Sequence, residues 1–363
     1  MADDKSSHSH EVVPITGRQL TLPEGPVFAL QRAADADYEL GAFRAWAGYR
    51  DLGSDAATNG LALFQHVISF GPSEASGRTG IHCHLAHAHI VIPTSGRGVF
   101  SYDGVVTEAV PGDVIVQHGG TVHDQFSYSY APAPPEQNKK TPISLEPVPA
   151  DAPPRSFGFL ELFVPSLIAN VEIIAPADVT AADQATAWDH PYHAPGASYF
   201  LQTAGALTAA YHPIAGHPGL EARDCHTWEP TGELVATWIV RAAAEATGRE
   251  VSLDLPGEVT GLTLVFVASG SAAVQGGGES VVIGPGDAFT SFGTPISLSE
   301  PSPDLRLVLF NISERAEALR ERTPDEIKRL EALGPAIITR RVVRPAHDDH
   351  PVNFLTDEDV APV

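Results

Sequence analysis

A recurring spacing constrains this chain more than any single residue. Gly96, the run Pro111-Gly112-Asp113 and Gly119 reappear as Gly270, Pro285-Gly286-Asp287 and Gly293, each 174 residues later and without a gap. Equal spacing between three turn landmarks points to two copies of one unit. The text around them is short β-rich runs closed by glycine turns. "LALFQHVISF" (61–70), "HAHIVIPTS" (87–95), "GVFSYDG" (98–104) and "DVIVQHG" (113–119) belong to the first copy, and 262–293 repeats the style in the second. Glycine and proline, 32 and 31 in 363 residues, are spread along the chain and favour strands and turns over long helices. The expected fold class is all-β, with two fused barrels.

The chain divides accordingly. Residues 1–14 read as a disordered arm, 15–170 as the first barrel, 171–312 as a connecting segment with the second barrel, and 313–363 as a helix and tail. Thr323 caps the helix, Pro324 fits its first position, Glu326 completes a capping box and Gly334 ends it. The first copy carries an insertion. His123 to Phe157 spans 34 residues and Ser297 to Leu305 spans 8, so the first copy has 26 more, in the proline-rich loop 131–155. Such a loop is either a lid or pocket wall beside the first barrel, or a tolerated surface insertion.

A net charge of −23 repels phosphate backbones and anionic lipid headgroups, so neither nucleic acid nor a membrane is expected as partner. No apolar run reaches membrane-spanning length. The start, "MADDKSSHSHEVVP", lacks the basic and apolar regions of a signal peptide, and two cysteines, Cys83 and Cys225, make no disulfide framework. A cytoplasmic, soluble protein is expected.

Four of the 16 histidines fall within eight positions: His82, His84, His87 and His89. Alternate residues of a strand share a face, so His82 and His84 offer two nitrogens to one ion. His123, in "HGGTVH" (118–123), is a further candidate ligand.

This pattern resembles the cupin family: H-x-H, four residues, an acid, six residues, Gly, then P-x-G-x-x-H on a later strand. Here it reads His82, His84, His89, Gly96 and His118 to His123, with His89 where the family usually has glutamate and His118 where it usually has proline. The resemblance implies two cupin (double-stranded β-helix, or jelly-roll) barrels and one divalent metal held by His82, His84, His89 and His123. Imidazole suits Fe, Cu, Ni and Zn; Fe, Cu, Ni or Mn is preferred for oxygen chemistry, with zinc the alternative. Shifted by 174, the ligand positions fall on Pro256, Glu258, Thr263 and Ser297, so the second barrel is expected to be metal-free and to serve as support or in a homodimer contact.

A bicupin with metal in its N-terminal half resembles the quercetin 2,3-dioxygenases. The implied reaction is O2-dependent carbon–carbon cleavage of an enolisable phenolic, flavonol or diketone substrate. Imidazole bound to metal cannot take a proton, so His87 and His118 are the nearby candidates for a base. Phe100, Tyr102, Phe126, Tyr128 and Phe159 are candidates for a pocket wall, or ordinary core. Two other readings stand beside this one. A zinc site would resemble the polyketide-cyclase cupins and act as a Lewis acid in isomerisation, cyclisation or elimination. A non-catalytic metal-binding bicupin is the third.

Overall fold

The computed structural model describes residues 22–40, 46–70, 82–84, 86–102, 105–118, 121, 123–129, 139, 142–146, 148, 155–166, 170–172, 199–202, 211–217, 219–243, 261–314 and 342–344. The fold is all-β, and the one α-helix among these residues is a single turn, Ser54–Ala57. One seven-stranded sheet has the spatial order β13 (Tyr199–Gln202), β9 (Val114–His118), β6 (Ala88–Ser95), β11 (Gly158–Val164), β4 (Leu63–Ser69), β3 (Ala47–Asp51), β2 (Glu39–Leu40). A second runs β1 (Val27–Gln31), β20 (Ala288–Phe292), β17 (Leu262–Ser269), β22 (Arg306–Ile312), β16 (Val235–Ala242), β15 (Leu220–Asp224), β14 (Tyr211–Pro213). Smaller sheets complete the barrels. One is β12 (Asn170–Glu172), β5 (His82–His84), β10 (His123–Tyr128), β7 (Gly98–Tyr102), β8 (Val105–Ala109), β23 (Val342–Arg344); the other is β19 (Glu279–Ile283), β18 (Ala272–Gly276), β21 (Ser297–Ser299).

The two large sheets are copies, strand for strand. β6 and β9 begin 174 residues before β17 and β20, as the landmarks require. Asp113 and Asp287 both fold a carboxylate back onto a backbone N–H three residues earlier, Val110 at 2.9 Å and Gly284 at 3.0 Å. The preceding glycines, Gly112 and Gly286, have φ of 91° and 84°, which side chains with a Cβ resist. Even an irregularity is duplicated: the β11–β6 register slips between Gly158 and Phe159, and the β22–β17 register slips at the corresponding Ser269 and Arg306.

The sheets do not respect the division at residue 170. β1, from the N-terminal end, pairs with β20 of the second copy, and β13, from the connecting segment, pairs with β9 of the first. Gln31 lies opposite Ala288 and Gln202 opposite Val114, which are equivalent positions 174 apart. Each unit thus lends its edge strand to the other, and the dipeptide Leu-Gln shared by 30–31 and 201–202 is the trace of it in the sequence.

The large sheets stack back to back. Ala88, Ile90 and Ile92 of β6 share one apolar layer with Leu262, Leu264 and Phe266 of β17, and Phe64 meets Phe266 and Phe310 edge-on at 6.3 and 5.1 Å. The alternate residues Val91 and Ile115 turn into the first barrel, beside Tyr102, Tyr128 and Phe159, while Val265 and Phe289 turn into the second. Strands covered on both faces favour apolar residues at successive positions, which explains the apolar runs 90–93 in β6 and 264–268 in β17.

Part of the inserted loop lies inside this layer, and for those residues neither sequence alternative describes it. Leu145 is 2% exposed and belongs to the shared core, and Ile143 packs against it. Arg50 and Arg223 stand at equivalent positions, each 5.4 Å from the ring of an equivalent tyrosine, Tyr38 and Tyr211. Arg50 donates to the Gly286 carbonyl at 2.9 Å. Arg223 instead donates to the Leu145 carbonyl at 3.3 Å and reaches the Glu146 carboxylate, which also accepts from the Tyr211 hydroxyl at 2.5 Å. The loop supplies on one side the acceptors that a turn supplies on the other.

The N-terminal arm and the helix after Thr323 lie outside the described residues. Among the described residues no helix is long and apolar enough to cross a membrane.

Two outcomes follow. Leu145→Ala should cost about 2–3 kcal/mol in urea unfolding, as in a core, against under about 0.5 kcal/mol for a surface loop. His66, on the layer face of β4, is held by the Tyr38 hydroxyl at 2.5 Å and the Thr94 hydroxyl at 3.1 Å. Burial, then the Arg50 charge, pulls its pKa from 6.5 to about 3. The folded state therefore binds fewer protons than the unfolded one in that window, so stability is intact above the ordinary histidine range and falls as pH drops towards 3. His66→Gln should flatten this fall, measured as the difference in unfolding midpoint between pH 7 and pH 4.

Candidate metal centre

The small sheet of the first barrel brings the sequence-predicted histidines together. β5 carries His82 and His84, and His82 lies directly opposite His123 at the start of β10. His89 faces them from β6 in the large sheet. His84, His89 and His123 are buried. Their ring centroids are 4.8 Å apart for His84–His89, 4.8 Å for His84–His123 and 6.3 Å for His89–His123. With metal–nitrogen bonds of about 2.1 Å, two imidazoles on one ion have centroids about 4.6 Å apart at right angles and about 6.5 Å apart when opposed. The three spacings are of the size that rings sharing one ion would have. Among the described residues no group of three or more His, Cys, Asp or Glu side chains is arranged to hold a metal ion; the His82 side chain lies outside those residues.

The hydrogen bonds bear on the tautomers of two of these rings. His123 Nδ1 lies 2.9 Å from the Thr121 carbonyl, which can only accept, so Nδ1 carries the hydrogen and Nε2 the lone pair. His89 Nε2 lies 2.7 Å from Glu161 Oε1, and the other carboxylate oxygen accepts from Gln65 Nε2 at 2.6 Å. His89 Nδ1 is buried without a hydrogen-bond partner among the described residues. Phe163 covers this group, stacked on His89 at 4.2 Å and edge-on to His84 at 5.0 Å.

Glu161 was not among the sequence-predicted residues. It is the one acid in the run 156–166, lies opposite Gln65 and Val91, and is 8% exposed. Its neighbours Leu160 and Leu162 face the layer between the units, so alternation points Glu161 into the barrel with Phe159 and Phe163. A lone charge in the middle of an apolar strand is the signal that marks it, since buried acids are rare without a partner.

The two histidines considered as bases are placed differently. His118 ends β9 opposite Ala88, on the outer face, and its Nε2 hydrogen-bonds to the Pro230 carbonyl of the second unit. The interior position next to it is Gln117, opposite His89. His118 therefore faces the contact between units, one step of strand alternation away from the interior position of Gln117. His87 is buried just before β6, with its backbone N–H on the Val164 carbonyl at 2.7 Å. Of the aromatic residues, Phe100, Tyr102, Tyr128 and Phe159 form core, with Tyr128 stacked on Trp46 at 4.6 Å; the Phe126 side chain lies outside the described residues.

In the second barrel the counterparts are a different chemistry. Thr263, equivalent to His89, donates to Asn311 at 3.0 Å. The paired Glu161 and Gln65 become the paired Leu309 and Trp238, and Ser297, equivalent to His123, is exposed. Pro256 and Glu258 lie outside the described residues.

No family model matches the chain, and no curated protein does. Solved structures of similar architecture include a putative glyoxylate-induced protein from Pseudomonas aeruginosa (9% identity, 82% of this chain and 92% of that one, TM-score 0.48). Oxalate decarboxylase from Bacillus subtilis is another (12% identity, 78% and 76%, TM-score 0.47). A third is protein Ylba from E. coli (12% identity, 82% and 95%, TM-score 0.46).

His118→Ala should lower unfolding stability by about 1 kcal/mol, the value of one hydrogen bond, and leave the metal content by elemental analysis unchanged. A loss of metal with unchanged stability would place His118 at the centre instead.

Proposed function

We propose that the first barrel is a metal-dependent oxygenase centre that opens a carbon–carbon bond of an enolisable aromatic or diketone substrate with O2. The observation that carries the metal centre is the His84–His89–His123 spacing together with the unpartnered His89 Nδ1. His82, two residues from His84 on the same strand, is the fourth ligand by alternation. When bound, a redox-active ion supplies Lewis acidity towards an anionic oxygen and a one-electron path to O2.

The chain's own residues set the rest. Four neutral imidazoles leave the ion's full charge in place, which favours a substrate binding as an enolate or carboxylate. Phe163 and the aromatic interior keep water from the ring cluster. Gln117 shares the interior face with His89, and its side-chain oxygen, buried without a hydrogen-bond partner among the described residues, is an acceptor for a substrate hydroxyl. His87 is the remaining histidine candidate for the base. Both oxygen atoms end in the products, so the cleavage needs no separate reductant.

A zinc centre is the second reading, favoured by one feature: a carboxylate behind a ligating histidine is common at zinc. It would make the barrel a Lewis acid for isomerisation, cyclisation or elimination.

Elemental analysis of the purified chain separates these. We expect about one iron, copper, nickel or manganese per chain, oxygen uptake with flavonols or diketones, and loss of both in His84→Ala and His123→Ala. One zinc, with no uptake after reloading with iron, would favour the second reading. No metal after reconstitution would overturn both.

A further inference from the structure

The chain has no acid at position 89, yet it sets one behind His89 from another strand. Glu161 lies between two partners, 2.7 Å from His89 Nε2 and 2.6 Å from Gln65 Nε2. An ionised carboxylate only accepts, so the hydrogen between Glu161 and His89 belongs to Nε2. A neutral imidazole protonated there carries its lone pair on Nδ1. That atom is buried and has no hydrogen-bond partner among the described residues, a costly state unless something fills it.

The geometry points to Glu161 as the positioning residue that holds His89 as the Nε2–H tautomer and aims Nδ1 at the ion shared with His84 and His123. The inference rests on the metal centre proposed above. It adds an asymmetry to that centre. His123 gives its Nδ1 hydrogen to Thr121, which leaves the lone pair on Nε2, whereas His89 gives its Nε2 hydrogen to Glu161, which leaves the lone pair on Nδ1. The two rings would then hold an ion through different nitrogens. Glu161 also places one negative charge directly behind four neutral ligands, and Gln65 keeps that carboxylate from rotating away.

The test uses the full chain, labelled with nitrogen-15 in histidine. In the chelator-treated wild type, the His89 signals, assigned by their loss in His89→Gln, should show a protonated Nε2 and a bare Nδ1. A protonated Nδ1 in His89 would overturn the proposal outright, whether or not metal binds. Metal affinity is then read by competition between cobalt(II) and a chromophoric chelator. Glu161→Gln, which keeps an acceptor but not the charge, should weaken binding about 10-fold, and Glu161→Leu about 100-fold with mixing of the tautomers. Affinity within twofold of wild type in both variants would reduce Glu161 to a structural role and overturn its part at the ion. A wild type with the expected tautomer but no metal affinity would overturn the metal centre and, with it, Glu161's role there, while a metal-binding wild type with the wrong tautomer overturns the Glu161 proposal alone.

Discussion

Everything in this molecule leans on the apolar layer between the two large sheets. Because β6, β11, β17 and β22 are covered on both faces, any polar group placed on them is cut off from bulk water. Such a group costs stability unless it is partnered inside. On the outer faces this produces the contacts of His66 with Tyr38 and Thr94 within the first unit, and of His118 with Pro230 across to the second. On the inner face of the first barrel it produces the chain Gln65–Glu161–His89. The polar residues of the two faces are separated by one step of strand alternation, and that step divides structural histidines from candidate ligands.

The second barrel shows what the same strands look like when that polar chain is removed. Leu309 and Trp238 replace Glu161 and Gln65 as a cross-strand pair, and Thr263 with Asn311 satisfy each other where His89 would stand. The replacement is concerted. An acid at position 309 without a histidine within reach would be a buried charge with no partner.

Local signals made the duplication and the histidine cluster legible in the sequence. Gly112 and Gly286 have backbone angles that favour glycine, and Asp113 and Asp287 tie the same turn, so the landmarks repeat at fixed spacing. His82, His84 and His89 lie within eight positions, and His123 follows at the spacing of a known motif. The parts that were hidden depend on long-range contact. Leu145 looks like one more residue of a proline-rich loop until its position between the sheets is seen. His118 sits in the motif by sequence yet on the wrong face by one residue. Glu161 stands 72 residues from His89 along the chain, and nothing local says that β11 lies beside β6.

The exchange of β1 and β13 bears on how such a chain can come apart. Cut between β12 and β13, it would yield two fragments, each holding the strand that completes the other: β1 stays with the first fragment but pairs with β20, and β13 leaves with the second but pairs with β9. Each fragment is addressed to its sibling. The barrel with the histidines is therefore not a detachable module, and a gene that lost its second half would lose the closure of the first.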